Sequence, residues 1–120
     1  RIMLALKSVF ADSFGVQTVI YDEIDAGVSG KTARKIGIKL KTSARGTQTI
    51  CVTHSAQIAS LADRQLLIQK QVVGTRTETQ VAEITGEDRV REIARILGGV
   101  TVSETMRSSA RELIEEGKKY

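Results

Sequence analysis

The chain has no proline, no tryptophan, one cysteine and one histidine in 120 residues. Aromatic residues make up only 3% of it, so a core must be built from Ile, Val, Leu and Ala. With Cys51 as the single thiol, no disulfide can close within the chain, which suits a reducing cytoplasm. Zinc sites of the usual kind need several Cys or His ligands at short spacing, and one of each cannot form one. A catalytic Cys51–His54 pair is also disfavoured, because Cys51 lies inside the apolar run Thr49-Ile50-Cys51-Val52 and reads as a structural thiol. No apolar run is long enough to span a bilayer and no signal-peptide pattern is visible, so no membrane role is expected. The phosphate-cradling pattern Gly-x-x-x-x-Gly-Lys-Ser/Thr is missing as well.

What is present describes a folded domain. Hydrophobic residues make up 41%, which argues against disorder. A net charge of +4 permits contact with phosphates, although a solvated basic surface explains it equally well. The chain opens on Arg1 with a sequence that already looks helical, so a piece of a longer protein is expected. Residues 2–14 have apolar spacing that predicts a mostly buried helix stopped by Gly15. A strand follows over 17–22, a helix over 30–44 and a second strand over 48–53, with Ser55 available to cap a short helix through Leu61. Arg64–Val73 and Thr75–Ile84, separated by Gly74, predict a hairpin. Helices over 87–97 and 104–116 complete the chain, the latter capped by Ser103. The order implies an α/β fold whose strand–helix–strand unit makes a right-handed crossover in a parallel sheet.

The most informative stretch is Val19-Ile20-Tyr21-Asp22-Glu23, followed by the small-residue turn Ile24-Asp25-Ala26-Gly27-Val28-Ser29-Gly30. An apolar strand that ends in acids delivers charge to the carboxyl edge of a sheet, where open α/β sheets bind ligands. Adjacent strand residues face opposite ways, so Asp22 and Glu23 can share a site only if the strand is ending. His54 lies at the tip of the next apolar strand, so all three side chains can converge at one edge. Phosphoanhydride cleavage needs a cation site, a group that orients water and a polar contact to the transferred phosphoryl. An acid pair at a strand end is, alone, equally compatible with a plain turn. A phospho-acceptor reading with Asp22, Thr53 and Lys70 at successive strand ends is weaker, since it needs an acidic pair after an earlier strand. Lys31, Lys35 and Lys39 form a stripe that could meet DNA phosphates but reads first as a solvated helix face.

Val19-Ile20-Tyr21-Asp22-Glu23 resembles the Walker B strand of ABC-type ATPases, Asp25–Gly30 resembles their D-loop, and His54 resembles their switch histidine. Transporter members usually place Pro and then Ser or Thr after the acids, whereas Ile24-Asp25 stands here. Asp22–Gly30, Val52–Ala59, Arg91–Gly99 and Ala110-Arg111-Glu112-Leu113 together resemble the RecN branch of the SMC-like ATPases, over nearly the whole chain. The resemblance implies that residues 1–120 are the C-terminal portion of a P-loop ABC-type ATPase head. That fold has parallel strands with flanking helices, a β-hairpin and two C-terminal helices. It implies ATP and Mg²⁺ as cofactors, with Asp22 holding the ion through water and Glu23 orienting the attacking water. His54 would contact the γ-phosphate, and Asp25 would sit in the nucleotide-site loop that faces a second head. Arg1–Leu6 would follow a signature motif just upstream, with the Walker A loop, Q-loop and coiled coil further upstream. The implied activity is ATP hydrolysis by the full-length protein in DNA double-strand-break repair and recombination, this piece alone being inactive. The implied partners are DNA and a second head in an ATP-dependent homodimer, in a cytoplasmic, nucleoid-associated setting. A fragment of another ABC-type ATPase, or a non-catalytic scaffold, are the alternatives.

Overall fold

The computed structural model describes residues 15–120. The helix expected over 2–14 lies outside the described residues. Strand β1 (Thr18–Asp22) leads through the small-residue turn into α1 (Gly30–Ser43), and β2 (Gln48–Val52) follows. A one-turn helix α2 (Ala56–Ala59) precedes the long strands β3 (Gln65–Val73) and β4 (Arg76–Ile84). Helices α3 (Gly86–Gly98) and α4 (Glu104–Gly117) end the order. Every element read from the sequence between 17 and 117 is found, with boundaries shifted by a residue or two.

β1 and β2 pair in parallel, Thr18 opposite Gln48 through Asp22 opposite Val52. Alternation along the strands sends Val19 and Tyr21 to one face, where they meet Cys51 and the apolar stripe of α1, Ala33, Ile36 and Leu40. The other face carries Ile20, Ile50 and Val52, all exposed. β3 and β4 form a separate antiparallel ribbon, closed by a tight turn at Gly74, whose φ of 64° suits glycine. It is buried only at its base, around Gln65, and its tip is exposed. Lys70 lies on this ribbon rather than at the end of a third parallel strand, which removes the phospho-acceptor arrangement.

Helix α2 joins two cores. Ile58 packs with Tyr21, Ala33, Ile36 and Leu40, while Ala56 and Ala59 pack with Val90, Ile93 and Ala94 of α3 and Ala110 of α4. Two caps come out differently from one another. Ser103 Oγ accepts from the Met106 amide at 3.3 Å, as its position suggests. Ser55 occupies the N-cap of α2 but makes no side-chain cap bond. The Ile58 amide, which a capping hydroxyl would take, instead donates to the Ser55 main-chain carbonyl at 3.1 Å. The far end of α4 approaches α2 so closely that a Cβ on Gly117 would stand 2.7 Å from the Ser60 carbonyl oxygen.

Arg89 ties these layers together. Its Nη2 donates to the carbonyls of Ala59, Ser60 and Ala62 at 3.3, 3.2 and 2.7 Å, and its Nε donates to Gln65 Oε1 at 3.2 Å. The guanidinium therefore satisfies the open carbonyls at the end of α2 and places a positive charge against that end of the helix. Burial pushes its pKa down, with the Asp63 charge opposing. A lysine keeps the charge but not the fork. Arg89→Lys is expected to destabilise the fold by about 1–3 kcal/mol, read as a lower urea midpoint at unchanged slope.

Candidate functional site

Asp22, Glu23 and His54 all lie at the carboxyl ends of the parallel pair. β1 ends at Asp22, whose side chain is exposed. Glu23 then turns the chain with φ at 46°, a left-handed conformation costly for a non-glycine residue. Its amide still donates to Val52 O at 2.9 Å, and its carbonyl accepts from the Ala26 amide at 3.1 Å. The strand thus stops between the two acids. Val52 is opposite Asp22, and His54 stands two residues beyond it. Its imidazole is 74% exposed.

Asp25 is placed differently from the other three. Its carboxylate is buried, Oδ2 accepts from Thr53 Oγ1 at 2.7 Å, and His54 Nδ1 stands 3.8 Å from the same oxygen. Asp25 Oδ1 is buried with no hydrogen-bond partner among the described residues. The turn after β1 is therefore tied to the residues that follow β2. From the sequence Thr53 is a site candidate only in the discarded phospho-acceptor arrangement, being otherwise one position of the second strand and of the Val52–Ala59 stretch. Its one sequence signal is a hydroxyl residue between an apolar strand and a histidine.

Cys51 sits behind this edge. Burial, then the negative charges of Asp25 and Asp22, push its thiol pKa up from 9.0 to about 11. A thiol with so little thiolate at neutral pH is a packing group. At pH 8 it is expected to alkylate roughly 100-fold more slowly than a free thiol, iodoacetamide labelling with and without denaturant being the check. The unfolded thiol loses its proton from about pH 9 while the folded one holds it to about 11, so stability should fall across that window.

Among the described residues, no group of three or more His, Cys, Asp or Glu side chains is placed to hold a metal ion. An exposed single carboxylate such as Asp22 suits Mg²⁺, which keeps several waters and takes its other ligands from phosphates. The residues at the edge fit the ion and water side of a nucleotide site. The lysine stripe is exposed on α1, whereas Arg34 on the same helix is paired with Glu116 at 2.7 Å. Among the described residues, no helix is long and apolar enough to cross a membrane.

No family model matches the chain. It is 48% identical over 118 residues to DNA repair protein RecN of Streptomyces coelicolor, covering 98% of this chain and 21% of that protein. It is 44% identical over 115 residues to RecN of Halalkalibacterium halodurans, covering 96% of this chain and 20% of that one. For RecN of Bacillus subtilis the identity is 39% over 116 residues, covering 97% and 20%. The chain thus spans about a fifth of the length of these relatives. A solved SMC ATPase, from work on ATP-driven dimerization and DNA-stimulated activation, superposes with a TM-score of 0.63 at 17% identity, covering 82% of this chain and 59% of that one. That likeness fixes the fold as of SMC ATPase type.

Proposed function

Since the chain is a segment of RecN type with the fold of an SMC ATPase, we propose that it is the C-terminal part of an ATPase head acting in DNA double-strand-break repair and recombination. The observation that supports this reading is the carboxyl edge of β1–β2, where Asp22 ends β1, Glu23 opens the turn and His54 follows β2, all three exposed. Bound ATP·Mg²⁺ would supply the phosphoanhydride and the electrophilic polarisation of its γ-phosphate.

Each side chain then has one task. Asp22, an exposed oxygen ligand, holds the ion through its waters. Glu23 orients the attacking water and accepts its proton. His54 donates an N–H toward the transferred phosphoryl, the position where negative charge grows. The left-handed turn at Glu23 supports this division, because it lets consecutive acids act at one edge instead of on opposite sheet faces. The phosphate cradle, Q-loop and signature motif come from the rest of the protein and from a second head. Turnover therefore belongs to the full-length homodimer, and this segment alone is inactive. The remaining tasks, gripping DNA and coupling ATP-driven head closure to it, fall to the whole protein in the cytoplasm, at the nucleoid.

The experiment is ATP turnover by the intact parent, with and without linear double-stranded DNA, beside its Glu23→Gln variant. Turnover stimulated by DNA and abolished by the change supports the reading. Turnover indifferent to both removes the catalytic role of Glu23, and no turnover at all leaves a scaffold role in its place.

A further inference from the structure

We infer that Thr53 is a positioning residue for His54, and that Asp25 is the anchor through which it acts within one subunit. The inference rests on the ATPase reading above.

Three bonds make the case. The backbone ladder between β1 and β2 ends with the Glu23 amide on Val52 O. Beyond that point the cross-link is made by side chains. Thr53 Oγ1 donates to Asp25 Oδ2 at 2.7 Å and accepts from the Ser55 amide at 3.0 Å. One hydroxyl thereby pins the backbone on both sides of residue 54, before and after it. The imidazole it carries is 74% exposed. Where His54 stands relative to Asp22 and Glu23 is set by this hydroxyl and by the carboxylate behind it.

The anchor is suited to the task. Asp25 is buried, and a carboxylate in such a place needs donors. Among the described residues, Thr53 is its only hydrogen-bond donor, with His54 Nδ1 at 3.8 Å from the same oxygen. At 3.8 Å the imidazole is not bonded to Asp25, so what the carboxylate fixes, through Thr53, is the backbone on either side of His54. Serine can replace threonine here, since it keeps both bonds. Valine has nearly the same shape and keeps neither.

The test uses the full-length parent and four variants: Thr53→Val, Thr53→Ser, His54→Ala, and Thr53→Val combined with His54→Ala. Thr53→Val is expected to lower kcat about 10-fold at unchanged KM for ATP, since misplacing a catalytic group by a fraction of an ångström is enough. Thr53→Ser should restore kcat to within about twofold, the hydroxyl being retained. In the His54→Ala background, Thr53→Val should have no further effect, because there is no imidazole left to place. Wild-type turnover in Thr53→Val overturns the inference. So does an equal loss with and without His54, which is the signature of a merely structural hydroxyl. If His54→Ala leaves no turnover to compare, the other two readouts decide. Lowered kcat at unchanged KM with rescue by serine sustains the inference, and a raised KM or no rescue overturns it. Failure here with Glu23→Gln still inactive removes only the role of Thr53. Full turnover in Glu23→Gln removes the role of Glu23 in the reading beneath it.

Discussion

Glu23→Gln in the full-length parent is expected to bind ATP as the wild type does and to hydrolyse it at least about 100-fold more slowly, the usual worth of a positioned general base. Glutamine matches glutamate in size and still hydrogen-bonds, but it cannot accept a proton from water at neutral pH. The substitution is also a fair one structurally. Glu23 is exposed, and the bonds that hold the turn come from its backbone, the amide to Val52 and the carbonyl from Ala26. Both survive the change, and the left-handed φ is no worse for Gln than for Glu. Nucleotide affinity measured by equilibrium binding and turnover measured in the same preparation separate the outcomes. Retained binding with lost turnover, with or without linear DNA, fits a water-orienting carboxylate. Unchanged turnover would sink the assignment and leave Asp22 and Glu23 as an ordinary turn.

The second large effect concerns stability. Ile93→Ala should cost about 2–5 kcal/mol, the usual range for emptying a buried aliphatic site. Ile93 is fully buried where α2, α3 and α4 meet, among Ala56, Ala59, Val90, Ala94 and Ala110. Apart from Val90 the other buried residues of its cluster are alanines, while the longer side chains packed against them, Met106, Leu113 and Ile114 among them, are only partly buried. The surroundings are also fixed, since Gly117 already lies against the Ser60 carbonyl and Arg89 clamps the end of α2. Backbone collapse around the cavity is therefore limited. Urea unfolding of the 120-residue chain measures it as a shift in midpoint. A change below about 1 kcal/mol would show that the three helices slide together freely.

The candidate site was partly legible before any coordinates. Asp22, Glu23 and His54 stand out because charged residues at the ends of apolar strands are visible in one dimension, and a single crossover makes the strands neighbours. The pairing of β1 with β2 is as that argument expects. Asp25 was visible only as a member of a turn, facing outward toward a partner. Its burial and its bond to Thr53 join residues 28 apart and depend on how deep the turn sits. Arg89 was equally silent, since it reads as one more polar position on an amphipathic helix until the carbonyls of α2 arrive above it.

By itself the sequence determined the elements, the strand–helix–strand order, the acid-tipped strand and the likeness to a family, because these depend on local spacing and residue chemistry. Only the tertiary structure decided that β1 stops at Asp22 with a left-handed turn at Glu23, that Asp25 is buried, and that Thr53 bridges two loops. The physical reason is that such facts rest on the angle of one turn and the depth of one packing contact, and neither leaves a periodic trace along the chain.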